Sequence, residues 1–496
     1  MKNMNECNRK RIVVVGGGTA GAIASTYIKS YWGEHVEVVV IYDHKVPNIG
    51  IGESLTPAIY NYLNYVGITT EELIKNTNST IKLGISFKNW QNDGTEFYHP
   101  FIANEVTEIY DNNYNFLAAY DIATQDYDSD VCYGKSMFDN CVIPSKNNFT
   151  HALHIDGVLF SKYILNKFKD RLTIIDGVVE GVVKKTHKEE IDYLILENGQ
   201  KIDADFFIDA TGFSANIFKN LENEWIDKRD VLPLDSCIPN QVFHDMKKIP
   251  VHTTAEASEQ GWILQVPLSN RWGCGYLFSS KFCSDDEALD NFSKFLKERF
   301  NVELSNQKIL KFKSGYWKKQ WNGNCLAIGL SSGFAEPLEA TNIHQAVMQI
   351  EQFIDVYNFN TIEFDSVHYN RFIEEFYERV YMFIRFCYTT NRTDSEFWRY
   401  MTNNVPEDVR MMEEKIKKDF LNGSSMSLSI FNYDNFTKIA YGLKKIDTNS
   451  YRQILQQRSV FDNNMKLMSD DVKKIKNDMY ISSKDHAEYI KEVILK

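Results

Sequence analysis

The residues with the clearest chemical potential lie near the start of the chain, where three glycines have the spacing GxGxxG. Gly16, Gly18 and Gly21 follow an apolar run at residues 12–15 and precede a helix-compatible run at residues 22–29. The first glycine permits a tight turn, the second lets the backbone approach a pyrophosphate, and the third lets the helix pack close to the strand. The N–H groups of the first helical turn then favour a phosphate pair. The pattern predicts a dinucleotide site with contacts from Gly16, Gly18, Thr19, Ala20 and Gly21.

An acidic residue at the end of the second strand would complete such a site. Residues 36–42, with the sequence VEVVVIY, are predicted to form the second strand, and Asp43 follows it. Dinucleotide folds usually carry an acid at this strand end, where it binds the ribose hydroxyls. Asp43 stands one place late, so either Asp43 makes this contact or the contact is lost.

A lysine on an early strand is the second candidate for chemistry. Residues 81–90, with the sequence IKLGISFKNW, alternate well enough for a single strand that carries Lys82 and Lys88 on one face. Lys82 is therefore either a solvated strand lysine or a lysine that points into a cavity.

Two further stretches bear on the identity of the dinucleotide. The loop at residues 47–57 has two glycines around Ile51, which fits either a plain turn or a backbone that lies flat against a planar ligand. Residues 206–213, FFIDATGF, combine an apolar strand with Asp209 and Gly212. This element resembles the second nucleotide-contacting strand of FAD proteins of the glutathione-reductase type, and with the glycine turn upstream it favours FAD over NAD.

The composition disfavours several classes of function. The 496 residues carry a net charge of −12 without a stripe of lysine or arginine, which argues against nucleic-acid binding. No window of about 18 uninterrupted apolar residues occurs, so no membrane span is expected. The polar residues 1–11 contain no apolar signal core, which favours a cytoplasmic location. Eight cysteines without a CxxC pair indicate a reducing compartment and no metal site.

The order of the elements predicts an α/β protein. The sequence also predicts a helix at residues 158–168 and strands at 172–175, 178–183, 193–196 and 324–330. A hairpin is expected at 261–267 and 272–279, and helices are expected from about residue 345 onward. We therefore predict an FAD-binding Rossmann fold of the glutathione-reductase type in residues 1–345. A substrate-side sheet is inserted in it from about 85–150 and 235–320, and residues 346–496 form a mainly helical region that covers the substrate.

Six motifs along the chain, in their sequence order, resemble those of the flavin-dependent tryptophan-halogenase family. They are GGGTAG at 16–21, GIGES at 50–54, KLGISFKNW at 82–90, DATGF at 209–213, GWILQVPL at 261–268 and AIGLSSGFAEPLEAT at 327–341. Each motif alone is modest evidence, whereas their order and joint presence are specific. They extend from the first strand to the start of the helical half of the chain.

The resemblance implies a two-component oxidation. Reduced FAD from a separate flavin reductase reacts with O2 and a halide, and the resulting hypohalous acid travels through an internal tunnel to a lysine. Lys82 matches this lysine, which hydrogen-bonds the oxidant or carries it as a haloamine beside an electron-rich aromatic substrate. Glu339 matches the second catalytic residue, which holds the amine and accepts the proton that leaves the ring. A carboxylate at this position also suits the start of a helix.

The same resemblance assigns the binding residues. Thr341 and Asn342 match the halide-binding pair, although the family usually has glycine in place of Asn342, so the choice among chloride, bromide and iodide stays open. His99 and Phe101 match the pair that flanks an indole, with a packed loop as the alternative. The remaining implied flavin contacts are Ser54, Val182, Asp209, Gly212, Leu330 and Ile343. The residues that clasp the backbone of free tryptophan are not found, so the substrate is expected to be a small aromatic or indole-type compound.

Two other functions remain open at this point. An aromatic monooxygenase, or hydroxylase, shares the GxGxxG turn, and Leu264 replaces the second tryptophan of the WxWxIP motif that prevents simple oxygenation. Such enzymes usually carry Gly-Asp after the late strand, however, where this chain has Gly329 and Leu330. No second GxGxxG for NADPH is present, which favours an external source of reduced flavin. The other alternative is a binding module without chemistry, which the retention of Lys82 and Glu339 disfavours. A homo-oligomer is compatible with the sequence.

Overall fold

The computed structural model describes residues 9–45, 51–103, 114–125, 127, 133–146, 149–186, 188–244, 247–305, 308–357, 362–419, 430–457 and 463–496. Residues 47–50 of the predicted ligand loop, including the first glycine of the GIGES motif, lie outside these ranges. The chain forms two compact units. The first contains Met1–Ser79, Ile155–Asp230 and Phe312–Glu378, and the second contains Thr80–His154, Val231–Lys311 and Arg379–Lys496.

The strands are numbered along the chain. They are β1 (Lys10–Val15), β2 (Val36–Tyr42), β3 (Glu53–Ser54), β4 (Thr80–Lys82), β5 (Gly84–Lys88), β6 (Glu96–Pro100), β7 (Val142–Ile143), β8 (Ala152–Ile155), β9 (Thr173–Asp176), β10 (Val179–Lys184), β11 (Ile191–Leu196), β12 (Lys201–Asp203), β13 (Phe206–Asp209), β14 (Trp225–Asp227), β15 (Ser236–Phe243), β16 (His252–Ser258), β17 (Gly261–Pro267), β18 (Arg271–Phe278), β19 (Leu310–Lys311), β20 (Gly315–Trp317), β21 (Trp321–Asn322), β22 (Cys325–Ala327), β23 (Gly333–Phe334) and β24 (Lys484–Asp485).

The α-helices are numbered in the same way. They are α1 (Thr19–Trp32), α2 (Ile59–Val66), α3 (Thr70–Thr77), α4 (Tyr114–Thr124), α5 (Lys135–Asn140), α6 (Gly157–Lys167), α7 (Asp285–Phe300), α8 (Thr341–Val356), α9 (Ile362–Phe386), α10 (Glu396–Asn403), α11 (Glu407–Lys418), α12 (Tyr433–Gly442), α13 (Thr448–Gln457), α14 (Asn463–Ile481) and α15 (His486–Leu495). Among these described helices, none is both long enough and apolar enough to cross a bilayer.

A mainly parallel sheet forms the centre of the first unit. Its strands lie in the order β21-β22-β13-β1-β2-β9, and β21 alone in this sheet of described strands runs antiparallel to its neighbour. Val13 pairs with Val39 on one side and with Phe207 on the other, and all three are buried. Such strands show continuous apolar sequence because both faces of the sheet are covered. The predicted strands at 12–15 and 36–42 are confirmed, as is the α/β fold class.

A seven-stranded mixed sheet forms the centre of the second unit. Its strands lie in the order β19-β15-β18-β17-β16-β5-β6. The predicted hairpin is confirmed as the antiparallel pair β17 and β18. Helix α7 packs Phe292 and Leu296 into a cluster with Ile238 and Tyr276 of the sheet. Helices α10 to α15 follow, which agrees with the helical pattern predicted for the end of the chain, whereas the domain boundary at residue 345 stays a prediction.

Two predicted strands differ in the structure. The single strand at 81–90 is wrong, because the chain forms β4 and β5 with a break at Leu83. β4 pairs with β8, whereas β5 pairs with β16 and β6, so the change of partner interrupts the strand. The strand at 324–330 extends only over β22, since Gly329 turns the chain with a φ of +55°.

Candidate functional site

The glycine turn after β1 packs the start of α1 tightly against the sheet. Gly16 has a φ of +120°, and a Cβ on Gly21 would lie 1.9 Å from the Gly16 carbonyl oxygen. A Cβ on Gly18 would meet no atom of the described residues within 4 Å, so the space over Gly18 is open. No described side chain caps α1, which begins at Thr19 with Ala20 as its second residue, and its first N–H groups can therefore face an anion. The turn fits the pyrophosphate of a dinucleotide.

Glu53 is a titratable group beside this turn that is not among the predicted site residues. Its Oε1 accepts a hydrogen bond from Thr19 Oγ1 at 3.3 Å, and a Cβ on Gly157 would lie 2.0 Å from the same oxygen. Burial raises the pKa of Glu53 to about 7, with a smaller contribution in the same direction from Asp156. The carboxyl is therefore partly protonated near neutral pH, which reduces its repulsion of a phosphate. Ser54, a predicted flavin contact, adjoins it on β3.

Asp209 holds the turn that follows β13. Its Oδ1 accepts hydrogen bonds from Thr211 N at 2.9 Å and from Thr211 Oγ1 at 2.7 Å. Its Oδ2 accepts bonds from Ile217 N at 2.9 Å and Phe218 N at 2.8 Å. Gly212, within this turn, has a φ of +70°. The Asp-Ala-Thr-Gly motif thus has a structural basis, because one carboxylate satisfies three backbone N–H groups of an irregular segment.

The turn that carries Leu330 is held by two glutamines of α8. Gly329 N donates to Gln349 Oε1 at 2.8 Å, and Gln345 Nε2 donates to the Gly329 carbonyl oxygen at 3.2 Å. Gln345 and Gln349 are both buried, and they lie one helical turn apart on the same face. Ser332 Oγ accepts bonds from both amides at 2.9 and 2.8 Å. This network fixes both polar backbone groups of Gly329.

Three other predicted flavin contacts have simpler surroundings. Asp43 Oδ1 accepts a hydrogen bond from Lys45 N at 2.8 Å. Val182 lies on β10 and packs against the core of the first unit. Ile343 is buried in the first turn of α8. What these residues bind stays a prediction.

The start of α8 has the features of an anion site. Glu339, which is buried, ends a short 3-10 turn, and Ala340 follows it with a φ of +58°. That conformation is costly for a residue other than glycine and is often found at functional sites. The Thr341 hydroxyl and the Asn342 Oδ1 are buried without a hydrogen-bond partner among the described residues, and no described side chain caps the helix. An anion at this position would give the hydroxyl and the first N–H groups a partner.

Lys82 is buried at the end of β4. Its Nζ lies 5.2 Å from the centre of the Phe101 ring, within the range of a cation–π contact. His154 lies on β8 beside it, with Nδ1 3.0 Å from Thr80 Oγ1 and Nε2 3.1 Å from Thr253 Oγ1. Burial holds the pKa of His154 well below its usual value, and the charge of Lys82 contributes to this shift. Because Lys82 is buried, the interpretation of Lys82 as a solvated strand lysine is wrong.

His99 lies on β6 and is almost fully buried. Its Nε2 lies 3.0 Å from Asn435 Nδ2, a residue of α12, and its ring centre lies 5.8 Å from that of Phe383. Phe101, just after β6, donates its N–H to the Leu83 carbonyl oxygen at 2.8 Å. No motif identified Asn435, because the contact joins residues 336 positions apart in the sequence.

Within each unit, the structure brings several of the predicted motifs together. In the first unit, a Cβ on Gly16 would lie 2.2 Å from the Ala210 carbonyl oxygen, and Ser331 Oγ donates to the Gly212 carbonyl oxygen at 3.1 Å. In the second unit, Lys82 and Phe101 are in contact. Lys82 and Glu339 belong to different units, and their pairing stays a prediction.

Known proteins resemble the chain over most of its length. A family model described as tryptophan halogenase matches residues 11–459. Tryptophan 6-halogenase SttH of Streptomyces toxytricini is 29% identical over 454 residues, which cover 84% of this chain and 85% of that protein. Tryptophan 7-halogenase RebH of Lentzea aerocolonigenes is 28% identical, with 82% and 81% covered. The solved structure of Tar14, a tryptophan C-6 flavin-dependent halogenase from taromycin biosynthesis, has a TM-score of 0.87 and 24% identity, covering 98% of this chain and 100% of that one.

The fold defines the class of the protein as α/β with a helical C-terminal region. The match over residues 11–459 identifies the family: the chain belongs to the tryptophan-halogenase family and is a flavin-dependent halogenase, an oxidoreductase. The family expected from the six motifs is confirmed, and the hydroxylase alternative is not favoured.

Proposed function

We propose that this chain halogenates an electron-rich aromatic or indole-type compound with reduced FAD, O2 and a halide, and that a separate flavin reductase supplies the reduced flavin. The observation that carries the proposal is the buried amine of Lys82, which packs against the face of Phe101. SttH and RebH are tryptophan halogenases, which supports an indole-type ring as the substrate.

The residues of the first unit fit the flavin dinucleotide. The turn at Gly16, Gly18 and Gly21 would hold the pyrophosphate against the N–H groups of α1, and Leu330 would contact the cofactor from the turn held by Gln349. When bound and reduced, FAD with O2 and a halide supplies hypohalous acid. The protein's own contribution is to bind this oxidant, keep it apart from solvent and direct it to the substrate.

The Lys82 side chain is suited to position the oxidant beside the substrate. An ammonium group offers three hydrogen-bond donors on a flexible stem and polarises the halogen, and an amine can also carry the halogen covalently. Burial strengthens these electrostatic contacts because little water competes for them. The Phe101 ring beside the amine supports an aromatic substrate next to Lys82.

Glu339 is suited to accept the proton that leaves the ring. In the transfer step, a bond forms between the ring carbon and the halogen while the oxygen–halogen bond breaks. The ring carbon then loses its proton to the Glu339 carboxylate, and the hydroxide released from the oxidant takes up this proton and leaves as water, which returns Glu339 to its carboxylate form. Glu339 is buried at the end of a turn whose next residue has a left-handed backbone.

Thr341 and Asn342 are proposed to hold the halide. The buried Thr341 hydroxyl has no acceptor among the described residues, and it can donate to a halide together with the first N–H groups of α8. The amide of Asn342 replaces the usual glycine, which alters the size of the site. The preferred halide is therefore best determined by competition among chloride, bromide and iodide.

Mass spectrometry tests the proposal directly. The protein is mixed with FAD, a flavin reductase, NADH, O2 and one halide, and an activated indole or phenol is analysed. We expect a gain of halogen mass; a gain of oxygen alone would instead support a hydroxylase, and an unchanged substrate would support a binding module.

Two lysine variants from the same region complete this test. Lys82→Ala should abolish halogenation and leave FAD binding intact, because the amine acts on the oxidant and not on the cofactor. Lys88→Ala is the matched control, since Lys88 Nζ forms a part-exposed ion pair with Glu256 at 3.0 Å and should retain full activity. Halogenation by the Lys82→Ala variant would contradict the assignment of the catalytic lysine.

A further inference from the structure

The last helix of the chain, α15, begins with a fully buried histidine that contacts the backbone of the Lys82 strand. His486 Nε2 lies 3.0 Å from Ile81 N, and His486 Nδ1 lies 2.9 Å from the Ile249 carbonyl oxygen. An amide N–H only donates and a carbonyl oxygen only accepts, so the ring must be neutral with its proton on Nδ1. The imidazole therefore links two backbone segments that do not bond each other directly at this point.

The ring lies between two segments that would bond each other directly in a regular sheet. Leu83 N donates to the Val251 carbonyl oxygen at 2.6 Å, and the parallel pairing of β5 with β16 continues from Gly84 and His252 onward. Two residues earlier, the same pattern would bring the Ile81 N–H to Ile249. His486 instead spans this gap, so the two segments diverge immediately before Lys82.

The other edge of β4 is held by regular pairing. Lys82 pairs with Ala152 and Thr80 with His154 in the ladder with β8, and the Thr80 hydroxyl donates to the Pro267 carbonyl oxygen. On the His486 side, the ring supplies the acceptor for the Ile81 N–H. Because a strand is a stiff pleated chain, the position of the Ile81 amide determines the direction in which the next side chain leaves the backbone.

We propose that His486 is a positioning residue for Lys82, setting the distance between the Lys82 strand and the Ile249 segment and thereby the aim of the amine. This inference rests on the proposed role of Lys82 in halogen transfer. His486 lies beyond residues 11–459, which the family model matches, so the device belongs to a part of the chain that the family pattern does not describe. Loss of the ring would leave the buried Ile81 N–H and the buried Ile249 carbonyl without partners. These two groups can bond each other only if the two segments move toward each other.

The test compares three variants for the yield of halogenated product per flavin oxidised. His486→Leu introduces an apolar side chain of similar size and removes both hydrogen bonds, and we expect at least a tenfold lower yield at an unchanged rate of flavin oxidation. His486→Gln retains an acceptor at about the position of Nε2 and should recover part of the yield. Ile490→Ala is the matched control: Ile490 is buried in the same helix, and its truncation should weaken the packing of α15 without changing the yield.

Hydrogen exchange at Ile81 provides a readout that does not depend on activity. Exchange of the Ile81 amide should be at least tenfold faster in His486→Leu than in Ile490→Ala, with His486→Gln between them. An undiminished yield in His486→Leu, or an equal loss of yield in Ile490→Ala, would overturn the proposal. If His486→Leu fails to fold, His486→Gln decides, and faster exchange with full yield refutes the positioning role. Failure of the proposed function itself would appear separately, as the absence of halogenated product with the natural protein, and failure of the role of Lys82 would appear as halogenation by Lys82→Ala.

Discussion

Replacement of Asp209 by asparagine should destabilise the first unit through the turn after β13. The buried carboxylate accepts four hydrogen bonds, two from Thr211 and one each from Ile217 N and Phe218 N. Asparagine keeps one acceptor oxygen and converts the other into an NH2 donor. Its least costly orientation directs the NH2 group at Thr211, whose hydroxyl can rotate to accept, while the Thr211 N–H loses its acceptor.

The size of this effect follows from the hydrogen-bond count. A buried N–H without an acceptor costs about 1–3 kcal/mol, and the loss of negative charge weakens the remaining bonds, so we expect about 2–4 kcal/mol in all. Urea unfolding of the flavin-free protein measures this loss, and hydrogen exchange over residues 211–218 locates it. Asp43→Asn is the matched control, because the Asp43 side chain accepts the Lys45 N–H at the surface and asparagine still can; its cost should stay within about 0.5 kcal/mol.

One result would refute this reasoning. If Asp209→Asn unfolds at the same urea concentration as the natural protein but binds FAD at least tenfold more weakly, Asp209 acts on the cofactor and not on the turn. If stability and exchange change as expected, any loss of FAD affinity follows from movement of the turn.

Two other predictions concern the glycine turn and the buried histidine. Gly21→Ala should lose about 1–3 kcal/mol of stability and most FAD affinity, since its Cβ would lie 1.9 Å from a backbone oxygen, whereas Gly18→Ala should lose FAD affinity alone. Urea unfolding measures the stability and flavin titration measures the FAD affinity. Equal stability of the two variants would contradict the packing argument. Burial lowers the pKa of His486 to about 4, although the hydrogen bond to the Ile249 carbonyl and the charge of Asp485 raise it. Its contribution to stability is therefore present above pH 6.5 and is lost as the pH falls toward 4. Between pH 7 and 5, His486→Gln should therefore lose about 2 kcal/mol less unfolding free energy than the natural protein, and an equal loss in urea titrations would show that His486 does not titrate as expected.

Local sequence predicted the elements whose neighbours cover them uniformly. β1 and β2 were recognisable because residues 12–15 and 38–41 are apolar and buried on both faces of the sheet. The glycine turn was recognisable because its spacing reflects local steric needs, as the close approach of Gly21 to Gly16 shows. The break at Leu83 was not predictable in this way, because it depends on which distant strands pair with β4 and β5.

The candidate site was predictable to the same extent. Motifs pointed to Lys82, and its burial agrees with the interpretation of a lysine turned away from solvent. They did not point to His486 or Asn435, since these residues lie 405 and 336 positions from their partners. A side chain that supports a site from a distant helix leaves no periodic or spaced pattern beside the residue it supports.

The segments proposed to do chemistry share one structural device. After β13 and at Gly329 the chain leaves regular pairing, and at Ile81 one edge of β4 has no paired strand among the described ones. In each place a buried polar side chain bonds the unpaired backbone group: Asp209, Gln349 and His486. An irregular backbone is needed to bring N–H groups and side chains to a ligand, but its buried groups cost free energy unless another partner is supplied. Since each of these side chains bonds a specific atom at a specific distance, it also restricts the turn to one conformation. Residues of this kind are therefore expected to change activity when substituted even where they contact no ligand. Because Gln349 and His486 lie outside the six motifs, the determinants of this halogenase lie partly outside its motifs.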